Sequence, residues 1–334
     1  MYPELFKIPF TDLTIKSYGL MMVIGFLAAI SIIRRLSRNI TPAPQLITNA
    51  ALYALIAGVV GSRLFYVIHH FDQFRGDFFS IFAIWKGGLE LLGGVLLAIA
   101  VIIIYMRRHK LPIRRYLDIL AIGLLLALAF GRIGCFLNGC CFGKPTNLNL
   151  PWSVRFPYHS PTNVHSPAYS SQAHPDIRRN RPEPQLKLPD DFFGYTDKNG
   201  SWYSGLKPYE YLTPEQKDMV DNGQYRCLPV HPTQLYSSAN AFLCCLLLYL
   251  FWRRSQKAEK SKSKGKLFAK PGCTFGLMFI IYGVTRFLLE FVRDDNPFEF
   301  DSITISQNIG IAMVVLGAVL MIVFQTKNSN VPEP

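Results

Sequence analysis

YLDILAIGLLLALAFGRIGCFL, residues 116–137, decides the fold. The stretch is 22 residues long, and its apolar side chains form an unbroken run with no polar face. A run of this kind is long enough to cross a hydrocarbon core, which takes about 20 residues of helix. It carries one charge near each end, Asp118 and Arg132. Charge inside a span is costly and marks function or a specific structural role. Asp118 opens the run and reads as a helix-start residue. Arg132 lies among Gly131, Gly134, Gly139 and Gly143, where the chain can leave a helix and where other groups can approach closely.

Six further runs of similar character lie on either side: Leu13–Ile33, Leu46–Ile68, Gly88–Met106, Leu235–Trp252, Cys273–Val292 and Thr304–Phe324. The chain of 334 residues is therefore expected to be an all-α integral membrane protein with about seven transmembrane helices, a single polytopic domain over 1–334. Lys16 interrupts the start of the first run and can snorkel to the interface. That run is followed by Arg34, Arg35 and Arg38 and has little positive charge before it, the reverse of a signal peptide, so it reads as a retained span.

The formal net charge is +13. Basic residues crowd the short segments after the first, third, fifth and seventh runs, from Arg34 through Arg107, Arg114 and Arg253 to Lys327. The positive-inside rule then places the N-terminus outside and the C-terminus inside. Residues 253–272 form a basic cytoplasmic loop. The basic residues flank apolar runs and are not interleaved with exposed aromatics, so nucleic acid is not an expected partner. By the same parity an irregular external segment, 144–230, lies between the fourth and fifth spans. Its prolines and its Asn199-Gly200 and Asn222-Gly223 turns predict short turns and small strands.

Depth counting brings the remaining intramembrane charges to one level. At about 1.5 Å per residue, Arg63, Arg132 and Arg286 lie roughly 26, 24 and 20 Å along spans that run outward. All three fall in the outer half of a core about 30 Å thick. Tyr18 and Glu90 open inward-running spans at that level. Tyr282, Arg286 and Glu290 recur every fourth residue and share one helix face, with Arg293 three further on. Snorkelling is the simpler account of any one arginine. Three at one level point to an anion site, since guanidinium forks match phosphate oxygens. For Gly93-Gly94, helix packing and ligand approach remain equal readings.

Seven cysteines are present without a paired Cys-x-x-Cys spacing, so no metal is expected. Cys244 and Cys245 read as packing residues. Cys140 or Cys141 pairs with Cys227 if that side is oxidising.

The segment GRIGCFLNGCCFGKPT, Gly131 to Thr146, resembles the signature of the bacterial phosphatidylglycerol–prolipoprotein diacylglyceryl transferases. Further blocks agree in order: Tyr18-Gly19-Leu20, Gly61-Ser62-Arg63, Trp85 to Gly94, HPTQLY at 231–236 and YGVTRFLLEFVRDD at 282–295. The chain departs from the pattern at Cys135, where the family commonly has Asn, and at Leu92, where it often has a His considered a possible general base.

The resemblance implies transfer of a diacylglyceryl group from phosphatidylglycerol to the lipobox cysteine of a prolipoprotein, with release of glycerol phosphate. It also implies the cytoplasmic membrane as the location, with the site in the outer half of the bilayer among membrane lipids and no organic cofactor. On that reading Arg132 and Arg286 meet the phosphate, and Arg63 pairs with Glu90 or assists them. Asn138 and the four signature glycines line the headgroup, and Glu290 holds Arg286. Tyr18 and Tyr282 orient substrate or relay a proton, unless they are aromatic-belt residues. Asn138 equally suits a helix end, and His231 is either a replacement base or structural. A phospholipid-binding or lipid-transporting protein, or a weakly active relative, remains the alternative.

Overall fold

The computed structural model describes residues 3–7, 14–40, 43–74, 78–82, 88, 90–146, 150–160, 164–177, 180–260, 270–294, 298–300 and 303–326. Leu13, Trp85, Gly87, Asp295, Lys327 and residues 261–269 of the basic loop lie outside the described residues. Among those described, six helices are long and apolar enough to cross a membrane: α1 (Ser17–Ser37), α2 (Gln45–His69), α4 (Ile113–Asn138), α7 (Thr233–Lys260), α8 (Cys273–Glu290) and α9 (Ile305–Thr326). An apolar helix of 18 residues, α3 (Leu91–Arg108), packs on α2. Two short helices, α5 (Pro167–Ala173) and α6 (Pro214–Asp221), belong to the segment between α4 and α7. The described residues also form three antiparallel two-stranded ribbons: β1 (Glu4–Lys7) with β2 (Thr14–Lys16), β3 (Phe193–Thr196) with β4 (Trp202–Leu206), and β5 (Phe298–Phe300) with β6 (Ile303–Thr304). Lys16 therefore ends β2 and precedes α1, so it does not snorkel from within a span.

The long helices associate mainly in the pairs α1 with α4, α2 with α3, α4 with α7 and α8 with α9. In lipid the hydrophobic effect does not drive helices together, so small residues that let backbones touch decide the pairing. On α8 and α9 these are Gly276 and Gly283 facing Gly317 and Gly310. A Cβ added to Gly283 would lie 2.7 Å from the Gly310 carbonyl oxygen, and one added to Gly317 would lie 2.6 Å from that of Gly276. Gly93 and Gly94 of α3 meet Gly61 and Gly58 of α2 in the same way, so their role is helix packing.

The core of the bundle is centred on α4, whose Tyr116, Ile119, Ile122 and Leu125 pack with Ile33, Ile47, Met106, Leu248 and Trp252. Asp118 sits in this layer and caps a helix other than its own. Its two carboxylate oxygens accept from Gly272 N (2.8 Å) and Phe275 N (2.9 Å), at the start of α8. The first amides of a helix have no internal acceptor and carry partial positive charge, so a buried carboxylate there both satisfies and stabilises them.

The inserted segment has its own core, in which Tyr158, Tyr169, Phe192, Leu206, Val220 and Cys227 are buried. Ser166 caps α5 and Thr213–Gln216 forms a capping box on α6, so both short helices start on side-chain acceptors. Cys227 is a free thiol donating to Gln172 Oε1 at 3.4 Å, and burial pushes its pKa up to about 11. The disulfide anticipated to Cys140 or Cys141 is not formed: all three are free thiols, and Cys227 turns to Gln172.

Replacing Asp118 by Ala leaves two buried amides without acceptors. Thermal unfolding of the detergent-solubilised protein should show a loss of about 1–3 kcal/mol. An unchanged midpoint would remove this cap from the account.

Candidate functional site

Three remote parts of the chain meet at the ends of α4, α7 and α8. Gly139 ends α4 in the left-handed conformation, with φ 74°, and the Cys140 amide turns back to the Cys135 carbonyl at 3.2 Å. The emerging chain is then stitched to its neighbours by main-chain hydrogen bonds. Gly143 N donates to His231 O (3.0 Å), His231 N to Lys144 O (3.1 Å), Lys144 N to Val292 O (2.8 Å), and Asp294 N to Phe142 O (3.3 Å). Thr146 N donates to Pro229 O, and Val154 and Val230 exchange both of their bonds. An ion pair between Arg181 and Asp294 at 2.9 Å fastens the insertion to the segment after α8.

This lattice brings Arg132 beside the polar face of α8. Arg286 donates to Glu290 Oε2 at 2.5 Å and to Ser306 Oγ at 2.7 Å. Glu290 is almost wholly buried, accepts from Thr304 Oγ1 at 2.8 Å, and lies 3.7 Å from Arg293 Nε. Arg286 is thereby locked by groups from α8 and α9. Arg132 lies within electrostatic range of Tyr282, Arg293, Cys135 and Cys141. Among the described residues it has no hydrogen-bond or ion-pair partner. A half-buried guanidinium with its fork open, beside Tyr282 and a second guanidinium, Arg293, is a receptacle for an oxyanion.

Tyr18 stands on the other side of the same group, within electrostatic range of Arg132 and of Cys135, Cys140 and Cys141. Its ring rests on Gly134, where an added Cβ would meet it at 3.1 Å. The four signature glycines do structural work around Arg132. Gly131 and Gly134 admit α1, Gly139 reverses the chain, and Gly143 lets the loop pass His231 and Thr233. Asn138, the last residue of α4, lies beside the Cys140 thiol.

Two anticipated site residues are engaged elsewhere. Arg63 does not pair with Glu90. Its guanidinium donates to the carbonyls of Ser80 (2.6 Å), Ile81 (2.8 Å) and Gly88 (3.0 Å) and lies over the rings of Tyr66 and Phe74. Glu90 pairs instead with His69, at 2.7 Å. Arg63 thus clamps the chain between α2 and α3. His231 turns its ring to Tyr236, with Nδ1 3.3 Å from the phenol oxygen, which also accepts from Trp152. Among the described residues no hydrogen bond or ion pair joins His231 to Arg132, Arg286 or Tyr282. Leu92 is the second residue of α3 and is 61% exposed.

A cluster that spacing did not predict lies at the same place. The thiols of Cys135, Cys140 and Cys141 all fall within 4.8 Å of one another. Only the left-handed reversal at Gly139 brings one helical cysteine under two loop cysteines, so linear spacing does not reveal it.

Fold and site together define a multi-pass helical membrane protein that presents an open guanidinium at a junction of helix ends. Comparison with known proteins gives this class a family. The family model for prolipoprotein diacylglyceryl transferase matches residues 3–323, and the chain belongs to that family. It is 28% identical over 320 residues to the phosphatidylglycerol–prolipoprotein diacylglyceryl transferase of Clostridium tetani, covering 95% of each chain. It is 26% identical to that of Synechococcus elongatus, covering 96% of this chain and 87% of the relative. It is 27% identical to that of Neisseria gonorrhoeae, covering 95% and 94%.

If Glu290 holds Arg286, the two should be energetically coupled. Glu290→Gln alone strands a buried guanidinium and should cost about 3–5 kcal/mol. The Glu290→Gln, Arg286→Gln double variant should be less destabilised than the sum of the singles, by about 1–3 kcal/mol in unfolding measurements. Strict additivity would contradict the pairing.

Proposed function

We propose that this protein transfers the diacylglyceryl group of phosphatidylglycerol to the lipobox cysteine of a prolipoprotein, releasing glycerol phosphate. The observation that carries the reading is the open guanidinium of Arg132 beside Tyr282 and Arg293, on the side of α8 where Arg286 is braced by Glu290, in a chain whose family and relatives are named for this reaction.

In the transfer, the cysteine sulfur forms a bond to the glyceryl carbon while the bond from that carbon to the phosphate oxygen breaks. The electron pair leaves on the phosphate ester, so negative charge grows at oxygens the arginines reach. Cationic donors fixed in advance in a water-poor site lower that barrier most, because they need not reorganise. Glu290, Ser306 and Thr304 supply the fixing for Arg286, and Arg132 is carried on the last two turns of α4, whose end is tied down by the main-chain lattice around 142–146. Arg293 stands three residues beyond Glu290 and adds a third cation to the same group. Tyr18 and Tyr282 flank Arg132 and orient the headgroup, and Asn138 stands at the end of the same helix, by Cys140. The clamp made by Arg63 shapes the chain between α2 and α3 and supports the site without meeting the phosphate.

The orientation follows from the positive-inside rule: N-terminus outside, C-terminus and the basic 253–272 loop inside. The 144–230 insertion then lies outside, over a site in the outer half of the cytoplasmic membrane, where the lipobox of an exported precursor arrives.

Purified protein given phosphatidylglycerol and a lipobox peptide should add the mass of one diacylglyceryl group to the peptide. Arg132→Ala and Arg286→Ala should each lower kcat by at least about 100-fold, the effect of removing one such donor. Unmodified peptide with lipid tightly retained would favour a lipid-binding protein, and full rates in both variants would contradict the phosphate site.

A further inference from the structure

Thiol chemistry needs a thiolate, and a free cysteine with a pKa near 8.5 is only about 3% ionised at pH 7. The groups around Arg132 offer no evident base. Glu290 is bonded to Arg286 and Thr304, and His231 is turned to Tyr236. What stands beside Arg132 is the cluster of Cys135, Cys140 and Cys141.

The cluster has the features of a ligand set. Its three sulfurs lie within 4.8 Å of one another, and all three residues are half-buried and free of disulfides. A tetrahedral zinc ion with Zn–S bonds of about 2.3 Å places its sulfurs about 3.8 Å apart, so closing on the metal takes shifts of only about 1 Å. The backbone is held from outside. Fully buried Thr233 donates its hydroxyl to Cys141 O, and fully buried Gln234 donates its amide to Cys140 O, both at 2.8 Å. Cys141 adopts φ 62°, a conformation that side-chain-bearing residues avoid unless the surroundings impose it. Supporting bonds of this kind around strained ligand residues are what orient metal sites. The charge also fits, since three thiolates are flanked by Arg132 and Arg293.

We propose that Cys135, Cys140 and Cys141 bind one zinc ion with an open fourth position, and that the lipobox thiol of the substrate takes that position as its thiolate. The proposal rests on the transferase reading above and names the means by which that site ionises its nucleophile. Zinc suits the role because it is redox-inert and four-coordinate, and sites with three protein ligands keep a place for substrate. Metal binding releases the three cysteine protons to solvent, and entry of the lipobox thiol releases a fourth. A sulfur lone pair then forms the C–S bond as the C–O bond to phosphate breaks, and the electron pair departs with glycerol phosphate. The product thioether is neutral and a weaker ligand, so it leaves the metal. No electron is gained or lost by the zinc.

The test uses the full chain in detergent, stripped with a chelator and reloaded with Zn²⁺ alone. X-ray absorption should find three sulfurs at about 2.3 Å per zinc, and four once lipobox peptide is added. The reloaded enzyme should be up to about 30-fold faster than the stripped one at pH 7, the ratio expected from full against 3% ionisation. That gap should close as the pH rises past the free thiol's pKa. Cys140→Ser and Cys141→Ser should lose the zinc yet retain bound phosphatidylglycerol. If those variants do not fold, the absorption spectrum of the unaltered chain decides alone. Fewer than three sulfurs at the zinc, a disulfide within the trio in active protein, or equal rates with and without zinc would each overturn the proposal. Absence of transfer in both forms, with lipid retained and the sulfur count as expected, would instead overturn the transferase reading and the substrate-thiol step while leaving the metal site standing.

Discussion

The site depends on one constraint: the main-chain hydrogen bonds that join residues 142–146, 229–231 and 292–294. Helix packing sets α4 against α1 and α7, α8 against α9 and, through smaller contacts, α4 and α7 against α8. The lattice then joins the chain leaving α4 to the chain leaving α8, because each backbone amide leaving a helix must find an acceptor where water is scarce. Gly143 is required at its centre, since a Cβ there would lie 2.6 Å from the His231 carbonyl oxygen. The insertion is therefore more than an appendage. Its two ends are two of the three strands of chain in the lattice, and Arg181 reaches from within it to Asp294.

On this frame the charges divide their tasks. Arg286 is satisfied by Glu290 and Ser306, and its position is thereby fixed. Arg63 is satisfied by three carbonyls and fixes a loop. Arg132 has no such partner among the described residues. An intramembrane guanidinium without an internal counter-charge is tolerable only if something external supplies one, and a phosphate oxyanion matches its fork. The same geometry places three thiols within reach of that anion. Nucleophile and leaving group would then meet at one guanidinium.

Much of this was legible in the linear chain, and the rest was hidden for definite reasons. Span-length apolar runs and the cost of charge within them singled out Arg132, and helical periodicity predicted that Tyr282, Arg286 and Glu290 share a face. The Arg286–Glu290 pair is local, at i and i+4, so periodicity sufficed. Asp118 was legible as a helix-start residue, but the helix it caps begins 154 residues later. Arg63 has backbone carbonyls as its partners, and carbonyls have no signature in a sequence. The cysteine trio depends on a left-handed turn at Gly139 that spacing does not encode. His231 lies next to the site in the lattice, yet its ring direction is set by Tyr236.

The central claim is that Arg132 is open because a lipid phosphate fills it. A high-resolution structure of the full chain with phosphatidylglycerol tests this most directly. The account predicts the phosphate oxygens within about 2.9 Å of the Arg132 guanidinium, with Arg286 still bonded to Glu290. Phosphate bound away from Arg132, or Arg132 turned to a protein carboxylate in the lipid complex, would contradict it.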